Sequence, residues 1–470
     1  MRARRRHLSM LGALCALLLL PTYAHAHGHL VRARPGPGDT IRVAPRTLRL
    51  QFSEAPELAM SSIRLVDVQG RDIRLLPLRI DADSARVLIA DIPELLAPGR
   101  YTVRWQMAGR DGHPMHGQYD FVLAADTARA VGPAVPSPIA TTPAAAPIVR
   151  DSLPAQTHLA EGFDSESSTY VIVRWVHFIG LLVVIGGVAF YWLVLGRVHQ
   201  ADLTDSVMQE SAVRARSVAL MGAFLLAVAT IARLFAQWAA LRANADDPAA
   251  MSLHVMVLGS GWGHAWLLEL GALTVAIVGL SVARRSAGAR SGWAIAALGA
   301  IGLACAAALS GHAAVPQTTL PLATDVVHVL AAGCWMGALL VLLVAGLPPA
   351  RAATAPARAM AALVNAFSST ALASAAVVVL SGVVAAWHNV GSGSALGGSS
   401  YGRVLLIKLA VLAVAALIGL YNWRRARPAL AASGDDAAIR RAMRAELTAA
   451  AVILLVTAVL VAIPTPVELR

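Results

Sequence analysis

Cysteine is scarce, with three in 470 residues. That excludes the disulfide framework of small secreted domains. Charge is scarce too: Asp, Glu, Lys and Arg make up 14% of the chain, against roughly 25% in a soluble globular domain. With 57% hydrophobic residues, the deficit excludes a wholly soluble protein. No G-x-x-x-x-G-K-[ST] phosphate loop is present, so direct drive by ATP is not expected. Negative charge is the scarcer sign, 27 Asp and Glu against 39 Lys and Arg, for a net charge of +12. In a soluble protein such an excess points to nucleic acid. Here long apolar runs separate the arginines, so the excess reads as a membrane topology signal, and no nucleic-acid partner is expected. At roughly 100–200 residues per domain, the length allows about two to four domains.

Residues 1–26 have the grammar of a secretion signal. Arg2, Arg4, Arg5 and Arg6 precede an apolar stretch from Met10 to Leu20, and Ala24-His25-Ala26 fits the small-x-small cleavage rule. An uncleaved anchor helix is the alternative, but the apolar run is short for a span. Cleavage would remove Cys15, leave His27 first, and place the adjoining domain outside the cytoplasm.

Residues 27–125 are expected to form a β domain. TLRLQF (47–52), SIRLVDV (62–68), ARVLIADI (85–92), RYTVRWQM (100–107) and GQYDFVL (117–123) mostly alternate apolar and polar residues between Gly, Pro and Asp clusters. Short strands so spaced suggest an all-β sandwich or small barrel. Residues 126–165 are Ala/Pro-rich, then polar, and suit a linker. Residues 166–470 are expected to be an all-α polytopic membrane domain. Its apolar stretches fit about eight spans, near 170–196, 216–239, 262–282, 292–311, 321–346, 366–388, 402–422 and 447–464. Arginines crowd alternate loops, at Arg197, Arg214 and Arg216, then Arg284, Arg285 and Arg290, then Arg351 and Arg358, then Arg424 to Arg444. The positive-inside rule puts these loops in the cytoplasm and the β domain outside, as the signal requires. The expected setting is the inner (cytoplasmic) membrane, with the lipid bilayer as partner and the N-terminal domain in the periplasm.

With that orientation, polar residues gather in the outer halves of the helices. His177, Arg233, His264, Glu269, His312, Asp325, His328, His388 and Lys408 all fall there, and the inner halves hold little comparable. Ionisable residues in membrane helices tend to face a bundle interior or a wet cavity. Taken singly, a His at a helix end is often interfacial, and Arg or Lys can snorkel. As a set they suggest a polar vestibule open to the outside. Asp325 and His328 share a helix face at i,i+3, so the carboxylate can orient the imidazole and leave its other nitrogen for a metal. Cys305, Cys334 and Met336 are sulfur candidates; thiolate and thioether suit Cu(I), imidazole suits Cu(II) or zinc. Taken singly, such sulfur is more often packing.

The β domain carries the sharper metal signal. A free amino-terminal His27 supplies an amine and an imidazole nitrogen, and Asp111-Gly112-His113-Pro114 puts a carboxylate and an imidazole on one turn. Taken alone DGHP is only a turn, since Asp-Gly favours turns. Together the two give nitrogen-rich ligation with one oxygen, the preference of Cu(II). His29 and His116 are auxiliary candidates, and Glu54 a weaker one.

Residues 27–125 resemble the CopC family of periplasmic copper-binding proteins, through His27…Leu30-Val31, Pro35-Gly36-Pro37-Gly38, Leu50-Gln51-Phe52-Ser53-Glu54, Pro98-Gly99-Arg100-Tyr101-Thr102-Val103 and Asp111-Gly112-His113-Pro114. Residues 170–464 resemble the CopD family of copper-resistance membrane proteins, through Asp325…His328…Trp335-Met336-Gly337, Phe367-Ser368, Ser381-Gly382, Tyr401-Gly402-Arg403…Lys408 and Arg444…Glu446. The resemblance implies a Greek-key, cupredoxin-like β domain with a Cu(II) site from His27, Asp111 and His113. It also implies a membrane part that moves copper, inward, with other copper-resistance proteins as partners. A Met-rich Cu(I) segment known in some CopC relatives is absent, since Met60, Met107 and Met115 are scattered. The expected function is non-enzymatic copper import or resistance. The alternatives are sequestration or sensing without transport, and a membrane haem or quinone redox protein using the same histidines.

Overall fold

The computed structural model describes residues 29–109, 112, 114–125, 168–198, 203–243, 252–284, 289–311, 319–433, 436–463 and 465–466. The proposed signal and linker fall outside these residues.

Alternation builds the first domain. In β3 (Thr47–Phe52), Leu48, Leu50 and Phe52 point inward and Arg49 outward. A similar period runs through much of β4 (Ser62–Asp67), the first half of β8 (Gly99–Ala108) and β9 (Pro114–Leu123), whereas β7 (Ser84–Asp91) buries Val87 to Ala90 in succession. These are the five segments that the sequence marks as strands. Four strands carry no such signal: β1 (Leu30–Arg34), β2 (Thr40–Ile41), β5 (Asp72–Ile73) and β6 (Arg79–Asp81). One sheet has the order β1-β3-β7-β6, the other β2-β9-β8-β4-β5. Both contribute to one core, in which Leu48, Leu50, Phe52 and Leu88 of the first sheet meet Leu65, Val103, Met107 and Phe121 of the second. The domain is therefore an all-β sandwich. The β4–β5 turn is tied by Asp67, whose carboxylate accepts from the Arg71 and Gln69 amides, each at 2.9 Å, and from Arg71 Nε at 2.8 Å. The Arg71 amide leads in holding that carboxyl below the usual carboxylate range.

Among the described residues, eight helices are long and apolar enough to cross a membrane. They are α1 (Ser168–Arg197), α2 (Asp205–Arg242), α4 (Gly261–Val282), α5 (Ala289–Leu309), α6 (Thr319–Arg351), α7 (Pro356–Val390), α9 (Ser400–Leu430) and α10 (Ala437–Leu460). Two short helices, α3 (Leu253–Gly259) and α8 (Gly393–Gly398), sit in the connections before α4 and α9. Most spans run past their apolar stretch. Helix α2 begins eleven residues before the expected 216, and α10 ten residues before 447. Ala, Arg and Glu in those extensions are good helix formers, so the helix continues where hydrophobicity stops.

Small residues let the helices close up, as they do where lipid removes the hydrophobic drive between helices. A Cβ on Gly337 of α6 would run into the Leu182 carbonyl of α1, and one on Gly186 into the Gly337 backbone. Gly279, Gly292 and Gly299 make equally tight backbone contacts between α4 and α5. Helix α6 has a π-helical turn at Gly333–Gly337, and α9 one at Asn422–Ala426. Such turns often accompany functional positions.

The sandwich rests on one end of the bundle. Met60 and Ala108 of the β domain join Leu234 and Leu241 of α2, Met256 of α3 and Trp262 of α4 in a separate apolar cluster. This end gathers the start of α1, the end of α2 and the start of α4.

Candidate functional site

Strands β8 and β9 form a long hairpin, paired from Gly99↔Leu123 to Ala108↔Pro114. Its turn carries the DGH motif. Gly112 is buried, with φ +81°, a conformation that favours glycine. Its amide donates to the Gly109 carbonyl at 2.9 Å. Asp111 and His113 on either side, and His27, lie outside the described residues. His29 is exposed; its amide donates to the Ser53 hydroxyl and its carbonyl accepts from the Ser53 amide, each at 3.1 Å. His116 is exposed on β9 opposite Gln106, while Glu54 is buried.

The hairpin turn meets the bundle directly. Gln237 Nε2 of α2 donates to the Gly112 carbonyl, and Gln237 Oε1 accepts from the Tyr170 hydroxyl of α1 at 3.1 Å. Gln106 Nε2 of β8 donates to the Leu241 carbonyl at 3.1 Å. A Cβ on Gly112 would lie 3.0 Å from Trp262 Cδ1. Gln106 and Gln237 are 2% and 3% exposed, so these are buried polar contacts, expensive to leave unmade.

One helical turn below Gln237 lies a buried charged cluster. Arg233 Nη1 is 3.0 Å from His177 Nε2 and 3.2 Å from Glu269 Oε2. His177 Nε2 is 2.6 Å from Glu269 Oε1, which also accepts from the Thr230 hydroxyl. A single ring nitrogen cannot both donate to Glu269 and accept from Arg233. Arg233 has the carboxylate to donate to, so the Nε2 proton is assigned to Glu269. Burial of Arg and Glu is tolerated because each supplies the other's countercharge.

A second polar group lies on α6. His328 Nδ1 is 2.8 Å from Ser381 Oγ of α7. That hydroxyl donates its one proton to the Val377 carbonyl at 2.6 Å, so it accepts from Nδ1–H. On that assignment the neutral ring carries its lone pair on Nε2, the arrangement a metal-binding imidazole needs. Lys408 of α9 lies within charge-interaction range of both Asp325 and His328.

The inner half is less bare than expected. Glu446 of α10, 6% exposed, accepts from Trp335 Nε1 at 2.9 Å and from Asn422 Nδ2 at 3.1 Å. Both donors lie on the π-helical turns of α6 and α9. Little that is comparable is expected in those halves, yet Glu446 is a buried polar group there.

The described histidines therefore occupy separate places. His177 belongs to the Arg233–Glu269 cluster and His328 to the Ser381 contact. His264 is exposed and meets the Leu258 carbonyl at 2.9 Å, and His388 is exposed near the end of α7. His312 lies outside the described residues. Cys334 and Met336 pack with the main core, and Cys305 is half-buried on α5. Among the described residues, no three His, Cys, Asp or Glu side chains converge as metal ligands. Gln237, Thr230 and Asn422 were not anticipated. Thr230, Arg233, Gln237 and Leu241 recur at i, i+3, i+7 and i+11, a helical stripe that marks the face of α2 turned to the site.

Known proteins place these features. Residues 30–124 match the family model described as CopC domain, residues 164–322 that described as Copper resistance protein D-like, N-terminal domain, and residues 361–460 that of Copper resistance protein D. The Copper transport protein CutJ of Bacillus subtilis (strain 168) is 23% identical over 465 residues, 96% of this chain and 77% of CutJ. Protein YobA of Escherichia coli (strain K12) is 30% identical over 121 residues, 26% of this chain and 98% of YobA. Among solved structures, CopC from Methylosinus trichosporium OB3b is 33% identical, covering 21% of this chain and 96% of that one, with a TM-score of 0.20. PcoC, a methionine-rich copper resistance protein from Escherichia coli, is 26% identical over 21% of this chain and 99% of its own, with a TM-score of 0.19. The chain belongs to the CopC/CopD copper-resistance family and joins both parts in one polypeptide. It is a copper-handling membrane protein.

Proposed function

We propose that this protein captures Cu(II) outside the cytoplasm on its β domain and passes it to the helical bundle, for copper import or resistance and without an enzymatic step. The amine and imidazole of His27, with Asp111 and His113, form the capturing site, and His29 and His116 are auxiliary. Residues 1–26 are the signal, 27–125 the capturing domain, 126–165 the linker and 166–470 the membrane domain. The bundle lies in the inner membrane with the β domain in the periplasm. Copper and the bilayer are its partners, along with other copper-resistance proteins.

One observation carries this reading. Gly112, the residue between Asp111 and His113, is hydrogen-bonded to Gln237, a buried side chain of the bundle. Fusion holds donor and acceptor at high effective concentration, and this contact gives the pair a fixed meeting point. His328, with its Nε2 lone pair free of the Ser381 contact, is a receiving imidazole in the bundle. The sulfur of Cys305, Cys334 and Met336 suits Cu(I), so it would serve after a separate electron donor had reduced the metal.

The capturing site is tested by Cu(II) titration of the full chain, followed by electron paramagnetic resonance. His113→Ala is expected to weaken the nitrogen-rich Cu(II) signal at least tenfold in affinity. Wild-type affinity in that variant would overturn the assignment.

A further inference from the structure

We infer that His177 and Glu269 form a transient Cu(II) station in the bundle, and that the guanidinium of Arg233 occupies it as a displaceable cation. The inference rests on the proposed capture-and-transfer function and names the first acceptor.

The geometry is that of a cation site already filled. The Glu269 carboxylate holds the guanidinium through Oε2 and the His177 ring through Oε1, so the imidazole nitrogen and the carboxylate both lie against a single positive group. Arg233 Nη1 stands 3.0 Å from His177 Nε2 and 3.2 Å from Glu269 Oε2, and the Thr230 hydroxyl adds an oxygen on Glu269 Oε1. Imidazole nitrogen with carboxylate oxygen is a borderline donor set that Cu(II) accepts. Two ligand side chains leave coordination positions open, which suits cargo that must move on.

Charge explains the occupant. A bare carboxylate at this depth would be costly, and a tethered cation keeps the empty station neutral. Arriving Cu(II) replaces one positive group with another. The guanidinium withdraws, and the His177 Nε2 proton passes to Nδ1 or to water, freeing the lone pair for the metal. Arg233 lies one turn from Gln237, whose amide holds the Gly112 carbonyl of the DGH turn. The donor turn and the latch are therefore adjacent on one helix stripe. Withdrawal along that stripe passes the buried Gln237, so it accompanies release of the Gly112 contact, after which the arginine can snorkel towards the helix end.

The test uses the full chain in detergent, loaded with Cu(II) alone and desalted, with copper per chain counted by atomic absorption. Arg233→Gln is expected to retain one additional equivalent over wild type. Electron paramagnetic resonance should show that extra copper with mixed nitrogen and oxygen ligation, and Arg233→Gln combined with Glu269→Gln should lose it. Arg233→Lys keeps the buried charge balanced and serves if the Gln variant does not fold. Its single shorter amine cannot bridge both partners, so the extra equivalent is again expected. Equal copper in wild type and the folded variants would overturn the station, while leaving capture by the β domain intact. No copper on the wild type with one equivalent on Arg233→Gln would uphold the station and overturn capture.

Discussion

Gly112 shows how one residue joins two domains. Its φ of +81° is open to glycine, and a methyl there would press on Trp262 Cδ1 at 3.0 Å and Gln237 Nε2 at 3.2 Å. Gly112→Ala carries a backbone penalty of roughly 1–2 kcal/mol, and relief requires the hairpin turn to lift off α2 and α4. The expected outcome is faster amide exchange over residues 253–263 of the full chain, with the bundle interior unchanged. Unchanged exchange across that segment would show that the turn does not depend on this close approach. Arg233, His177 and Glu269 illustrate a different limit at the same scale. Each is visible in the sequence as a polar residue in an apolar run. Their convergence depends on how three helices are rotated against one another, which no local pattern records.

Among the helices, α6 is the element on which most depends. It carries Asp325 and His328 towards its outer end and Trp335 at its π-helical turn, and it packs on α1 through Gly337 and Gly186. Overpacking such a contact costs about 1–3 kcal/mol. Gly337→Ala is therefore expected to lower the thermal midpoint of the full chain, by several degrees, and to weaken the Trp335–Glu446 hydrogen bond. Tryptophan fluorescence during thermal unfolding would check this, and a wild-type midpoint would contradict the packing account. The sequence foretells elements unevenly, for physical reasons. Five strands long enough to show alternation are legible, whereas β2 and β5 have two residues each and cannot display a period. Spans are legible from apolar length, but their ends are not, because helix propensity outlasts hydrophobicity in α2 and α10. Glu446 escaped notice as a buried group because it follows Arg444 closely and reads as part of a charged loop. Its burial is created by Trp335 and Asn422, which are distant in sequence.

For the whole molecule, the arrangement is a β domain seated on one end of a helical bundle, which in the proposed function makes the first a copper donor and the second its acceptor. Among the described residues, the contact includes two glutamines and an apolar cluster around Trp262, with Ala59 and Glu57 against Gly259 and Gly261. Linkage by one chain holds the two parts at high effective concentration. Below the contact, polar groups occur at three levels: the Arg233 cluster, the Asp325–His328–Lys408 group, and Glu446 further in. The first level lies beneath the donor turn, and the last shows that the inner half is not closed to polar chemistry. The residues proposed to capture copper are legible in the sequence as a motif, while those proposed to receive it become pairs only in the folded bundle.

The central claim is that copper crosses from one side to the other through this chain. The most direct measurement is cytoplasmic copper in cells expressing the full chain, against cells carrying an empty vector, after addition of external Cu(II). A rise that His113→Ala diminishes is the predicted result. An unchanged or lower cytoplasmic level, with the protein present in the membrane, would contradict uptake and leave sequestration or efflux as its role.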